Sequence, residues 1–499
     1  MTKLSTGTSW RELAGSLRLD GRALIDGKRR DAENGATFPS ISPIDGRHLA
    51  DIASCSASDV DAAVDSARTA FADGRWSGLG AESRKRILLQ LAELMEAHGS
   101  ELALLDSLEM GKPIAQSTTV DVPGSVETFR WYAELVDKLS DEIPSTPPGS
   151  TALVTRAPLG VIAAITPWNY PLEIACWKLA PALAAGNSVV LKPAGQSSLS
   201  ALLLGELAIE AGVPAGVLNV VPGTGRIAGE GLARHLGVDA LAFTGSTAVA
   251  KRLLECSGQS NMKQLGLEAG GKSANLVFDD AEDLDAAAAK AAFGAFYNQG
   301  EVCSANSRIL VQRGVAEQFL EALVKHSADY LPGDPLDPEH NGCGALVNSE
   351  HADQVQQAID AGRAAGTVLT GGRRLALNGS DAYIEPTVIT GLPADHPLHR
   401  TEIFGPVATV TVFDTEDEAV SLANDTDYGL AASLWTASLS RAHRVSSRLV
   451  AGTVSVNTVD ALSLATPFGG FKQSGFGRDL SVHALENYTG LKTTWIQHG

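Results

Sequence analysis

Between Gly160 and Ser246, short apolar runs alternate with longer segments of helical period. The runs are "GVIAAITP", "SVVLKPA", "VLNVVPG" and "DALAFTGS". Between them lie "LEIACWKLAPALAAGN", "SSLSALLLGELAIEAG" and "GRIAGEGLARHL". Brief apolar strands spaced by helices predict a parallel, doubly wound sheet covered on both faces. A second alternating series runs from about Leu276 to Phe476, which places a boundary between two α/β units near Gly270. Residues 55–138 read as helices. In "SDVDAAVDSARTAFADG", Ser58 is the expected N-cap, with Val60, Val64, Ala67 and Phe71 near one face. "RKRILLQLAELMEAHGSELALLDSLEMGKP" continues the amphipathic pattern. "PSTPPGSTALVTRAPLG" breaks it, with a Pro/Gly turn and a strand from Thr151 to Arg156 leaving the main body. The tail "YTGLKTTWIQ" has strand composition and suits either pairing with another subunit or a solvated end.

At 499 residues the chain exceeds one simple core, so more than one structural unit is expected. A hydrophobic fraction of 44% beside 19% charged residues is that of a globular enzyme and excludes wholesale disorder. The net charge of −19 argues against nucleic acid or an anionic membrane as partner. No run reaches the length of a membrane span, and "MTKLSTGTSWRELAG" lacks the apolar core of a signal peptide. Five scattered cysteines without a C-x-x-C pair support neither a disulfide framework nor a zinc knuckle. The expectation is a reduced, cytoplasmic setting and no metal.

One cysteine stands apart. In "FYNQGEVCSANSRILV", an Ala-rich segment from Asp283 to Tyr297 reads as a buried helix and Arg308–Val311 as a strand. Cys303 lies in the loop between them, among small polar residues that rarely pack a core. Burial as a structural thiol is the common fate of cysteine. A nucleophile needs instead a positive charge, a helix N-terminus or a base beside it. No neighbouring histidine supplies a Cys–His pair, and no H-E-x-x-H occurs. "LEAGGKSANLVF" places Glu268 before the Gly270–Gly271 pair. It is either a solvated acid ahead of a turn or a general base on an adaptable hinge. In a doubly wound sheet, ligands lie beyond the carboxyl ends of the strands. Here those ends carry "TPWNYP", "VVPGTGRIAG" and "AFTGST", whose Gly223, Gly225 and Gly245 permit close approach of a pyrophosphate to a helix N-terminus. G-x-G-x-x-x-G alone is weak, since many α/β turns use glycine. No P-loop signature points to ATP or GTP.

Taken in order, "TPWNYP", "LKPAGQSSLSA", "FTGST", "LEAGGKSAN", "NQGEVC", "EIFGPV" and "PFGGFKQSGFGRD" resemble the NAD(P)-dependent aldehyde dehydrogenase superfamily from about Leu19 to Ile496. The resemblance implies a Rossmann-type dinucleotide-binding domain near 1–138 and 160–270, and an α/β catalytic domain near 271–478. It also implies a small β oligomerisation element at 139–159 and 479–499, serving a homodimer or homotetramer. Cys303 becomes the implied nucleophile, Glu268 the base, and Asn169 an oxyanion donor. Ile165, Trp168, Lys192, Gly195, Gly225, Gly245, Ser246, Val249, Glu402 and Phe404 become implied contacts to NAD or NADP. Lys192 and Glu402 would hold ribose hydroxyls. The chemistry implied is addition of the thiolate to an aldehyde, loss of hydride, and hydrolysis of a thioester.

One departure concerns the cofactor. NAD-preferring relatives often carry Glu where this chain has Gly195, and its loss removes a charge that would repel a 2′-phosphate. Dual use or NADP preference is the expectation. "FYNQGEVC", "LSRAHR" and "HALENYTGLKTTWI" are most similar to the bacterial ω-aminoaldehyde branch, which oxidises γ-glutamyl-γ-aminobutyraldehyde, 4-guanidinobutyraldehyde and related polyamine products. Tyr170, Trp177, Tyr297 and Phe468 match aromatic tunnel positions, with core packing as the plain alternative. Asp121 and Asp460 are candidate partners for a cationic tail. Leu462, with Ser463, replaces the usual small acidic turn and favours a more apolar aldehyde. Competing readings are a general aliphatic or aromatic aldehyde dehydrogenase, a CoA-acylating relative, a non-catalytic binding protein and a Cys–His hydrolase. The CoA-acylating enzymes usually lack the Glu268 equivalent.

Overall fold

The computed structural model of the protein describes residues 9–499; the first eight residues of the N-terminal segment read above lie outside them. The predicted alternation produces a sheet whose central strands are parallel: Leu218–Val220, Ser188–Lys192, Val161–Ile165, Ala240–Thr244 and Gln264–Glu268, in that order. Every residue of Val161–Ile165 and Ser188–Lys192 is buried, as expected for strands covered on both sides by helices. One cover is the helix Pro171–Ala184, nearly all of it buried, which follows Val161–Ile165 directly. Chain order reverses about Val161–Ile165, which has Ser188–Lys192 on one side and Ala240–Thr244 on the other. The carboxyl ends at this switch open a crevice at Thr166–Trp168 and Gly245–Ser246, where the geometry favours a ligand.

A second sheet carries Thr367–Thr370, Thr387–Thr390, Val407–Phe413, Arg308–Gln312, Ala274–Val277, Ala431–Trp435 and Thr453–Val456. It is parallel except at its first pair. Gly270 lies in the connection from the first sheet to the second. One strand breaks that simple division: Gly475–Phe476 returns to pair antiparallel with Leu267 and Glu268. The edge of the first sheet is thereby closed by the distant "FGGFKQSGFG" segment, a long-range pairing with no local signal.

Local chemistry accounts for the smaller differences. The helix Ala57–Ala72 is capped by Ser56, not Ser58, because Ser56 and Asp59 form a reciprocal capping box. Its buried face is Val60, Ala63, Val64, Ala67 and Ala70, so Phe71 falls on the flank. The helix Leu284–Phe296 takes Asp283 as its N-cap. The tail strand Thr489–Gln497 pairs antiparallel along its whole length with Ser150–Pro158 of the same chain, and most of its residues stay exposed. Leu491, Trp495 and Ile496 remain exposed on that ribbon. Among the described residues no helix is long and apolar enough to cross a membrane.

Candidate active site

Cys303 sits just ahead of the strand Arg308–Gln312, at its amino end, and faces the carboxyl ends of the first sheet. The loop is set by an abrupt stop to the helix before it. Asn298 and Gln299 both take left-handed backbone angles (φ 49° and 56°), a conformation that side chains normally avoid. Tertiary hydrogen bonds hold it: Asn298 Nδ2 donates to the Asn169 carbonyl at 3.2 Å, and Gln299 Oε1 accepts from Gly344 N at 3.0 Å. Glu301, fully buried, accepts from Val347 N at 3.0 Å. Gly300 has no substitute, since a β-carbon there would lie 2.3 Å from the Gly405 carbonyl oxygen. Asn169 Nδ2 donates to the Glu301 carbonyl at 2.8 Å, which ties the Asn169 amide to the loop that carries the sulfur.

Glu268 ends the strand Gln264–Glu268 and approaches from the opposite side. Both of its carboxylate oxygens are buried without a hydrogen-bond partner. A β-carbon on Gly271 would stand 2.4 Å from the Cys303 carbonyl oxygen, and one on Gly270 2.1 Å from Glu402 Oε2. The two glycines thus let the Glu268 connection, the Cys303 loop and Glu402 converge. Burial pushes Glu268 well above the usual carboxylate range, the charge of Asp479 adds to this, and Lys178 and Arg478 partly offset it. The Cys303 thiol is also pushed up, first by burial and then by Asp460, Glu402 and Glu268. Both groups are thereby biased toward their protonated forms. Behind them Lys178 and Asp479 form a buried ion pair at 2.5 Å.

Two cavities share Trp168, Gly245 and Ser246. The smaller, about 210 Å³, is lined by Asn169, Cys303, Glu402 and Phe404. The larger, about 890 Å³, is lined by Ile165, Lys192, Gly195, Gly225 and Val249. Lys192 and Glu402 consequently occupy opposite ends. Ser246 caps the twelve-residue helix Thr247–Gly258 by accepting from Val249 N. Gly245 is a cradle, because a β-carbon there would enter the Phe243 ring at 2.6 Å. Lys192 is 4% exposed and donates to the Pro193 carbonyl, with no carboxylate beside it; burial lowers it to about 8. Glu402 accepts from Gly271 N at 3.0 Å, and burial raises it to about 7. Phe404, with φ 59°, packs edge-on to Trp168 at 5.3 Å between ring centres. A Gly-lined crevice, the start of the helix Thr247–Gly258 and a cation without a counter-ion suit a dinucleotide.

The wall beyond Cys303 is apolar. Tyr170, Ile174, Trp177, Leu430, Leu464, Phe468 and Leu480 form one cluster with it. Of the expected aromatic set, Tyr170, Trp177 and Phe468 are in that cluster, whereas Tyr297 packs on Phe293 with its hydroxyl unpartnered. Leu462 is 46% exposed, and Leu464 takes the place expected of it, because the loop turns back after Ser463. Asp121 is not free for a substrate amine: Lys112 pairs with it at 2.5 Å, both side chains fully buried. Asp460 accepts from Ser304 Oγ at 2.7 Å, beside Cys303. Lys112, Glu173, Lys178, His351, Leu464 and Asp479 went unread in sequence. Only their three-dimensional neighbours distinguish them from ordinary helix and loop residues. His351 hydrogen-bonds the Phe404 carbonyl at 2.7 Å.

Comparison with known proteins agrees with this geometry. Residues 30–494 match the family model described as "Aldehyde dehydrogenase family". An Escherichia coli relative, "NADP/NAD-dependent aldehyde dehydrogenase PuuC", is 50% identical over 98% of both chains. A crystal structure of indole-3-acetaldehyde dehydrogenase with NAD+ superposes with a TM-score of 0.97 at 50% identity, covering 98% of this chain and 99% of the other. A γ-glutamyl-γ-aminobutyraldehyde dehydrogenase from Burkholderia cenocepacia superposes with a TM-score of 0.96 at 52% identity and the same coverage.

Proposed function

Since the chain belongs to the aldehyde dehydrogenase family, and is an NAD(P)-dependent oxidoreductase, we propose that it oxidises an ω-amino or related polyamine-derived aldehyde to the carboxylic acid. Cys303 is the nucleophile, Glu268 the base of hydrolysis, and Asn169 an oxyanion donor. The observation that carries this reading is the meeting of the Cys303 loop with the Gly270–Gly271 connection that follows Glu268, whose buried carboxylate has no partner and whose charge acts on the Cys303 thiol.

Trp168, Gly245 and Ser246 would hold the middle of the cofactor, Lys192, Gly195, Gly225 and Val249 its outer half, and Glu402 and Phe404 the half beside the sulfur. When bound, the oxidised cofactor supplies a positively charged ring near Cys303 and accepts the hydride. Among protein groups, the charges acting on the thiol are all negative, so its deprotonation awaits a positive neighbour. The thiolate attacks the carbonyl carbon, and the oxygen that becomes negative is received by Asn169 Nδ2 and the Cys303 backbone N–H. The thioester left after oxidation is attacked by water. Glu268, once ionised, takes the water proton, and its raised affinity for protons makes it a strong base for that step. Glu268 also weighs against a CoA-acylating course, in which no water is activated. The first sheet with its helices is the cofactor unit, the second the catalytic unit. The exposed ribbon of Ser150–Pro158 and Thr489–Gln497 is the oligomerisation element.

A second reading, an apolar or aromatic aldehyde, is favoured by the Trp177, Leu464 and Phe468 wall next to the sulfur. An aldehyde panel run separately with NAD and NADP, scored by kcat/KM, decides between them. Faster turnover of ω-amino aldehydes supports the first reading. Flat rates for these beside fast rates for hexanal or phenylacetaldehyde would overturn it.

A further inference from the structure

Glu173 lies in the first turn of the helix Pro171–Ala184, where an acid ordinarily serves the free backbone N–H groups. It does not do so here. The helix has no side-chain cap, and the Glu173 carboxylate makes no hydrogen bond or ion pair with a described residue. Its side chain points instead toward the helix Val122–Leu135. There Gly124 leaves room, for a β-carbon at that position would stand 2.7 Å from Glu173 Oε1. Glu173 is half-buried, neither sealed in the core nor spread on the surface.

Its acidic neighbours are provided for. Asp121 has Lys112, whose ammonium also lies 3.6 Å from the centre of the Tyr170 ring. Asp460 has Ser304. Glu173 has nothing. Two further polar atoms nearby in charge interaction are buried without partners: Asp121 Oδ1, on a fully buried side chain whose charge acts on Glu173, and Tyr297 Oη, on which Glu173 acts. Burial raises Glu173 to about 8, the charges of Asp121, Asp106 and Asp460 adding to the rise and Lys112 opposing it. A half-buried acid among surplus acids, with the local cation already committed, is relieved by an incoming cation.

The placement relative to the sulfur also fits. The charge of Asp460 acts on both the Cys303 thiol and Glu173, and the charge of Glu173 acts on Tyr170 and Tyr297. Tyr170 in turn belongs to the apolar cluster around Cys303. Glu173, three residues after Tyr170 on the helix that also carries Trp177, therefore lies next to the wall that Cys303 faces.

We infer that Glu173 determines specificity by receiving the ammonium or guanidinium end of an aldehyde whose carbonyl lies at Cys303, with the intervening methylenes along Tyr170, Trp177 and Phe468. This rests on the reading of the protein as an ω-aminoaldehyde dehydrogenase and names the group that reads the tail. Below about pH 8, where Glu173 tends to hold its proton, binding of the cation favours the carboxylate and displaces that proton to solvent.

The test uses the full-length enzyme, 4-aminobutyraldehyde and 4-guanidinobutyraldehyde as cationic substrates, and pentanal and hexanal as uncharged counterparts. The wild type is expected to prefer the cationic pair. Glu173→Gln should reduce the ratio of cationic to uncharged kcat/KM by about ten- to a hundredfold, mostly through KM, as loss of a charged hydrogen bond does. Glu173→Leu should move it further toward hexanal. Calorimetric titration with n-butylammonium in buffers of different ionisation enthalpy reads the proton release in the wild type without turnover. A Glu173→Gln enzyme that keeps its cationic preference, or a preference lost only in Asp460→Asn, overturns the assignment while leaving the substrate reading intact. n-Butylammonium that binds wild type and Glu173→Gln equally tightly overturns it too. A wild type that prefers hexanal sinks the substrate reading itself.

Discussion

Replacing Gly271 by alanine tests whether the glycine connection after Glu268 sets the position of Cys303, the proposed nucleophile. The new β-carbon would lie 2.4 Å from the Cys303 carbonyl oxygen and 3.3 Å from Leu430 Cβ. Ordinary contact for such atoms is about 3.5 Å, so the Cys303 backbone or the connection must move by roughly 1 Å. Overpacking of this kind costs about 1–3 kcal/mol of stability. A displacement of about 1 Å at the reacting atom costs on the order of a hundredfold in rate. The expected result is therefore a modest fall in thermal midpoint and a fall in kcat of roughly a hundredfold, with KM for the cofactor little changed. Steady-state kinetics, thermal unfolding and the rate of Cys303 alkylation by iodoacetamide measure the three effects separately. Gly258→Ala, where nothing lies within 4 Å of the added carbon, is the control for a bare glycine change. A Gly271→Ala enzyme with wild-type kcat and alkylation rate would refute the argument, because the carbonyl would then have yielded without moving the sulfur.

Glu268→Gln should stop at the thioester, so a stoichiometric burst of reduced cofactor is followed by slow turnover, and mass spectrometry finds the acyl group on Cys303. In the wild type, hydrolysis should rise with pH until well above the ordinary carboxylate range, since the raised Glu268 keeps its proton until then. Gly195→Glu has room, its β-carbon lying 3.7 Å from the Phe38 ring. The added carboxylate should pair with Lys192 and lower kcat/KM for NADP relative to NAD by about ten- to a hundredfold. Lys192 is lowered to about 8 by burial, so it is charged below that pH and neutral above it. NADP affinity should accordingly fall as pH rises through 8 while NAD affinity changes less, as a fluorescence titration of each cofactor would show. Lys178→Met strands the buried charge of Asp479 and should cost about 3–5 kcal/mol of stability by denaturant unfolding, whereas Lys178→Met with Asp479→Leu should recover much of it.

The apolar runs from Val161 to Thr244 fold as strands because strands buried on both faces must be apolar throughout, and nothing non-local is needed to see that. The same holds for the Ala-rich helix ahead of Cys303 and for the glycine junctions at the strand ends. The cysteine, the acid at position 268 and their motif order were legible for the same reason: each sits in a short segment whose residue types carry the chemistry. Three-dimensional packing decided the rest. That Asp121 is already paired, that Leu464 and not Leu462 meets the sulfur's pocket, and that Glu173 stands without a counter-ion follow from contacts between segments far apart in the chain. Charge pairing and desolvation act through space over a few ångströms. A carboxylate's role is therefore set by whichever side chains the fold brings within that distance, and no local pattern of residues records them.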